Sequence, residues 1–161
     1  MPHPIYKQFP LPSGSTASIR LLRIQPNPDE TADVECQLVL YPGLGLFSTR
    51  AHLYEALSYV WGSASNPQSI RIDGHHFPVT ANLHAALLCL RDAYLERLIW
   101  VDAICINQGD DAEKATQVQL MARIYAQARN VIVWLGPATP ETSRALEVVQ
   151  TFAAKKAIRR E

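Results

Sequence analysis

The stretch from Leu98 to Gly136 reads LIWVDAICINQGDDAEKATQVQLMARIYAQARNVIVWLG. It opens on an apolar run, Leu98-Ile99-Trp100-Val101, that ends on one acid, Asp102. A polar turn from Asn107 to Asp111 follows, then a helical pattern, then a second apolar run, Val131 to Leu135, closed by Gly136. Two short, wholly apolar runs flanking one helix predict a βαβ unit whose parallel strands are buried on both faces. Open sheets of that kind bind ligands beyond the carboxyl ends of their strands. Asp102, Cys105, Asn107 and Gln108 all stand at or just past such an end, so a site is expected there.

The intervening helix can be read residue by residue. Asp110 suits the N-cap, and Glu113 three residues on makes a capping box with it. Asp111 and Glu113 put negative charge in the first turn, where the helix dipole favours it. Val118, Met121, Ile124, Tyr125 and Ala128, with Gln117 on the same stripe, recur at helical spacing and are expected to face the sheet. Arg129 and Asn130 are the expected end, a cation followed by a residue that tolerates the left-handed region.

Outward from this unit, the rest of the chain divides by composition. Residues 1–17 are rich in Pro, Ser and Gly and read as a loose arm. Residues 18–50 read as a small antiparallel extension, with strands at Ser18–Ile24 and Val34–Leu40. Residues 51–161 hold the α/β domain. Within it, Tyr54 to Trp61 (YEALSYVW) suits a buried strand stopped by Gly62. Ile70–Ile72 and His76–Val79 flank Asp73-Gly74, a strong hairpin signal, and Pro78 confines its strand to an edge. Thr80 or Asn82 caps a helix with the stripe Leu83, Leu87, Leu88 and Leu90, running to about Tyr94. Pro137 to Pro140 breaks the chain, and Thr139 can cap a last helix with Leu146, Val149 and Phe152 on its apolar face. That helix looks cut, so the chain reads as a fragment or a short member of a family whose proteins continue.

The composition narrows the classes. A length of 161 residues suits one domain with a real core. With 48 % hydrophobic and 19 % charged residues, a folded globular domain is expected. Fifteen basic and fifteen acidic residues cancel, which argues against nucleic acid or an anionic membrane as partner. Cys36, Cys89 and Cys105 lack any motif spacing and read as reduced, mostly buried thiols of an intracellular protein. The N-terminus MPHPIYKQFPLP has no apolar h-region, and no uncharged apolar run reaches the ~18–20 residues of a membrane helix. A cytoplasmic location is the expectation.

Three blocks taken together resemble a known family. They are YEALSYVWG (Tyr54 to Gly62), VTANLHAALLCLRD (Val79 to Asp92), and the stretch from Leu98 to Gly136 with its DAICINQ core. In order and spacing they look like the HET domain, the heterokaryon-incompatibility domain of filamentous fungi. The resemblance covers about half the chain. It departs at Glu113-Lys114, where the family usually has Glu-Arg, and Lys lacks the planar fork of Arg. The resemblance implies a cytosolic regulator of non-self recognition that causes programmed cell death on fusion of incompatible strains. It also implies a distant kinship with TIR domains, some of which cleave NAD with a helix-borne glutamate while others only assemble signalling complexes. The fold it implies is TIR- or flavodoxin-like: an α/β domain with a mainly parallel central sheet flanked by helices, plus antiparallel hairpin strands.

The candidate chemistry follows from both sources. Glu113 is the candidate catalytic carboxylate, able to hold a ribose hydroxyl or to stabilise an oxocarbenium-like transition state, or else only to complete the cap. If it acts by charge alone, Glu113→Gln should spare the fold. The candidate ligand-binding residues are Ser58, Trp61, Gly62, Asp102, Asn107 and Gln108. Trp61 offers a face for a nucleobase or nicotinamide, and Gly62 allows close backbone approach. Asp102 needs partners because an unpaired buried carboxylate is costly, and tying down the following loop is the plainer role. Asn107 and Gln108 suit ligand amides or their own loop's backbone. Cys105 as a nucleophile with His84 or His76 is disfavoured, and so is a metal at Asp73, His75 and His76, where zinc spacing is absent. No cofactor is expected, NAD being a substrate in the enzymatic reading. The expected partners are other signalling proteins or further copies of the chain.

Overall fold

The computed structural model describes residues 3–12, 18–42, 44, 52–139 and 144. The final helix expected beyond Thr139 lies outside them, apart from Arg144, which is helical. Seven strands form one sheet: β1 (Ile19–Ile24), β2 (Glu35–Tyr41), β3 (His52–Tyr59), β4 (Gln68–Ile72), β5 (His75–Val79), β6 (Arg97–Trp100) and β7 (Ala128–Trp134). The helices among the described residues are α1 (Ala81–Leu90), the single turn α2 (Asp102–Cys105) and α3 (Asp111–Gln127). Across the sheet the order is β5-β4-β2-β1-β6-β3-β7.

The expected mainly parallel, helix-flanked sheet is not what forms. The sheet is mixed, and there is more strand than helix. β1 pairs antiparallel with both β2 and β6, and β4 with β5. β2 with β4, and β3 with both β6 and β7, run parallel. The physical reason lies in β1. Its sequence IRLLRI is buried along almost its whole length. A strand buried on both faces belongs in the middle of a sheet, not at an added margin. The N-terminal third therefore supplies the centre of the sheet, with β1 joining the β2-β4-β5 half to the β6-β3-β7 half.

The parallel trio predicted from the apolar runs is present, with β3 seated between β6 and β7. Asp102 does not end a strand. β6 stops at Trp100, Val101 caps the next turn with extended backbone, and Asp102 is the first residue of α2. Likewise β3 stops at Tyr59, two residues before Trp61. The Asp73-Gly74 hairpin forms as read, with φ of 49° and 80° at the two residues, the left-handed pair of a type I′ turn. β5, with Pro78, is the sheet's edge.

α1 takes Thr80 as its N-cap, whose Oγ1 accepts from Leu83 N–H at 3.3 Å, and buries Leu83, Ala86, Leu87 and Leu90. It ends at Leu90 rather than near Tyr94, because the Asp92 carboxylate takes the Tyr94 and Leu95 amides into a turn at 2.7 and 2.9 Å. α3 buries Gln117, Leu120 and Ile124, while Met121 and Tyr125 pack partly against the core. Val118 is 49 % exposed, so the expected stripe is displaced toward Leu120. Arg129 and Asn130 belong to β7, which follows α3 without a loop. Trp100, Tyr54, Leu22 and Ile99 lie at the bottom of the core, and Trp134 is only half-buried.

Candidate functional site

The DAICINQ segment begins at the end of β6, as α2, and runs into the start of α3. Local chemistry fixes its course. The Asp102 carbonyl accepts the Ile106 amide at 3.2 Å and the Gln108 side-chain amide at 2.9 Å. Asn107 is buried, and its Oδ1 accepts from Gly109 N–H at 3.2 Å in a turn closed on the side chain. The Asp110 carboxylate then caps α3 through the Ala112 and Glu113 amides, at 3.1 and 3.0 Å. Gln108 thus spends its amino group on the loop itself, the plainer of its two sequence readings.

Asp102 has one partner on each carboxylate oxygen. Oδ1 takes the Ala103 amide at 2.8 Å, and Oδ2 takes the Trp61 indole N–H at 2.9 Å. The carboxylate therefore anchors the rim tryptophan of the neighbouring parallel strand. Beyond Trp61 the chain turns at Gly62, with φ 75°; a Cβ there would sit 3.4 Å from the Asn82 Cβ. Asn82 was not foreseen as more than a cap. Its amide donates to the Val60 carbonyl at 2.6 Å and its Oδ1 accepts from Trp134 Nε1 at 2.9 Å, tying the ends of β3 and β7 to α1.

Two clefts meet at this end of the sheet. One, of about 280 Å³, is walled by Tyr59, Trp61, Phe77, Val79, Leu83 and Gln108. The other, of about 340 Å³, is walled by His3, Tyr6, Phe77, Asn107, Gln108 and Gly109. Of the predicted binding residues, Trp61, Asn107 and Gln108 line them. Asp102 is tied to the Trp61 indole, Gly62 turns the chain beside it, and Ser58 lies further back on β3 opposite Val133, half-buried. The walls are predominantly apolar and aromatic. Burial pushes the Tyr59 hydroxyl well above the ordinary phenol range, with the Asp102 charge adding to the rise, so the cleft keeps a neutral phenol.

Glu113 does not face either cleft. Its carboxylate turns inward to Arg20 of β1 in a two-pronged pair, Nη1 to Oε1 at 2.6 Å and Nη2 to Oε2 at 2.9 Å. Oε1 also accepts the Asn107 amide at 2.7 Å. The capping box is therefore half formed: Asp110 caps, but the Glu113 side chain reaches the loop rather than the Asp110 amide. Arg20 is 1 % exposed and Glu113 14 %. The guanidinium also donates to the Phe9 carbonyl at 2.7 Å and the Cys105 carbonyl at 3.3 Å, under the Tyr6 ring. Arg20 and Tyr6 were missed from the sequence. The one available signal was an arginine set between Ile19 and Leu21-Leu22 in a strand, which demands a counter-charge if it is buried. Lys114 is exposed and takes no part.

Among the described residues no cluster of His, Cys, Asp or Glu could hold a metal ion, and no helix is long and apolar enough to cross a membrane. Asp73 instead accepts the Leu38 amide at 3.0 Å, and His76 pairs with Ser69 at 3.1 Å. Cys105 is fully buried, its thiol pushed up to about 12 by desolvation, which makes it a core residue rather than a nucleophile.

No solved structure matches this chain. Heterokaryon incompatibility protein 6, OR allele, of Neurospora crassa is 36 % identical over 160 residues, an alignment covering 89 % of this chain and 23 % of that protein. The chain thus spans under a quarter of that relative's length. The family model described as heterokaryon incompatibility protein (HET) matches residues 54–161, which takes in β3, the capped helix α1, the DAICINQ segment and α3. The three sequence blocks that assemble this end of the sheet are those of one family, and the chain belongs to it: the heterokaryon incompatibility (HET) proteins.

Proposed function

We propose that the chain serves fungal heterokaryon incompatibility as a non-catalytic assembly module of the cytoplasm, bringing about programmed cell death through contacts with other signalling proteins or with further copies of itself. One observation carries the reading. A carboxylate that stabilises positive charge on a ribose carbon must face that carbon. Both Glu113 oxygens are instead engaged by buried Arg20 and by the Asn107 amide. The surface adds support. β7 is the sheet's other edge, and Val131, Val133 and Leu135 are exposed there. An edge strand with exposed apolar side chains is a ready surface for pairing with another chain.

A second reading, TIR-like hydrolysis of NAD, draws on the Trp61–Asp102 pair beside the 280 Å³ cleft that Trp61 lines. There Asp102, not Glu113, would be the acid at hand. Incubating the purified, concentrated protein with NAD and resolving nicotinamide by chromatography separates the two. The assembly reading expects no nicotinamide above the buffer control and cell death without a fall in cellular NAD. Nicotinamide release that Asp102→Asn abolishes would overturn it.

A further inference from the structure

The N-terminal arm takes part in the site. Residues Pro4–Lys7 make one 3-10 turn, with Ile5 and Tyr6 buried. The described residues of the arm add no strand to the sheet, and its turn is closed by its own bonds, Tyr6 N–H to His3 O at 3.2 Å and Gln8 N–H to Ile5 O at 3.0 Å. Ile5 joins the core, and the polar and aromatic contacts gather at one place. The Tyr6 hydroxyl donates to the Ile104 carbonyl at 2.9 Å and lies 3.3 Å from the Ile106 carbonyl. Its ring covers the Arg20 guanidinium, 4.9 Å from the centroid, and meets Phe77 edge-on at 6.3 Å. His3 packs on Phe77 at 4.9 Å and reaches the His76 carbonyl at 3.1 Å. The Phe9 carbonyl accepts from Arg20 Nε.

α2 explains why that matters. A helix of one turn leaves its last carbonyls without helical partners, and buried carbonyls need donors. Here Ile104 finds the Tyr6 hydroxyl, with the Ile106 carbonyl 3.3 Å from the same oxygen, and Cys105 finds Arg20. Arg20 in turn holds Glu113, and Glu113 holds the Asn107 amide. The arm, α2, the loop after it and the start of α3 are thus one hydrogen-bonded unit, closed from outside by the arm.

We infer that residues 3–9 are a strap that holds the DAICINQ segment in place, and that releasing it loosens residues 104–109 and opens the second cleft by removing its His3 and Tyr6 wall. A unit held by a few side-chain contacts opens separately from the global unfolding of the sheet. The strap does not depend on whether the module assembles or cleaves NAD, so its test is independent of both.

Amide hydrogen exchange of the full chain tests it. Tyr6→Ala should speed exchange at Ile106, Asn107 and Gly109 by roughly tenfold or more, with the β1 and β2 amides changed less than about twofold. Tyr6→Phe, which removes only the hydroxyl, should give a smaller rise at the same three amides and still melt close to the parent. Should Tyr6→Ala not fold, the Tyr6→Phe pattern decides. Exchange unchanged at 106–109, or raised equally across the sheet, would make the arm an ordinary part of the core and overturn the strap.

Discussion

Replacing Glu113 by glutamine is the sharpest perturbation the fold offers. The substitution keeps the shape of the side chain and one carbonyl oxygen for the Asn107 amide. It removes the charge that balances a guanidinium only 1 % exposed to solvent. Breaking a buried pair by taking away one partner costs roughly 3–5 kcal/mol, because the remaining charge stays buried. Arg20 keeps the Phe9 and Cys105 carbonyls and the Tyr6 ring, so glutamine belongs near the lower figure and alanine near the upper. In a chain of this size each kcal/mol moves the melting temperature by about 2–4 °C, so the glutamine variant should melt roughly 6–12 °C below the parent. If Glu113 served only the helix dipole, the loss would be about 0.3–1 kcal/mol, a shift of a few degrees at most. Calorimetry distinguishes these. An apolar replacement of both partners, Arg20→Met with Glu113→Leu, should recover part of the loss, since it leaves no charge unpaired. A Glu113→Gln variant melting within about 2 °C of the parent would refute the reasoning. It follows that a loss of cell-death signalling in that variant is uninterpretable as chemistry until its melting curve is known.

The tryptophans should separate by burial. Trp100→Ala should cost about 3–5 kcal/mol in denaturant unfolding, and Trp134→Ala, half-buried beside Asn82, clearly less; equal losses would contradict the packing. The three thiols should divide one to two, with Cys89 reacting with a thiol reagent in the native protein and Cys36 and Cys105 only after unfolding. Burial raises both of those thiols from 9.0 to about 12, so the unfolded chain releases their protons first. Their contribution to stability is whole below about pH 9 and lost between there and about pH 12, which urea midpoints at pH 8 and 10.5 would register as a fall.

Elements whose causes are local were legible in the chain. Asp73-Gly74 makes its turn because both residues tolerate positive φ. Thr80 and Asp110 cap their helices because a short oxygen-bearing side chain precedes a helical run. The errors arose where a side-chain partner overrides the periodic pattern. α1 stops at Leu90 because Asp92 captures two amides. β1 looked like a marginal strand because its two arginines suggest alternation with a solvent face. Arg20 has no such face; Glu113 lets it stay inside.

The same cause hid the site. Periodicity and capping rules read a residue against neighbours within a turn or two, and on that scale Glu113 is a first-turn acid with Asp110 before it. Its true partner stands 93 positions away, on the central strand. Fifteen acids and fifteen bases allow a great many pairings, and nothing in a balanced composition selects one. Burial does select. A basic residue in a strand flanked by Ile19 and Leu21-Leu22 must find a carboxylate or be expelled, which narrows the choice to acids whose own helix or loop begins beside that strand. Glu113 meets the condition because α2 is a single turn, too short to carry the chain away from β1 before α3 starts. The family's segment therefore reads first as a means of delivering one carboxylate to one buried arginine. That pair holds the Asn107 amide in position, while Asp102 holds Trp61 and Gln108.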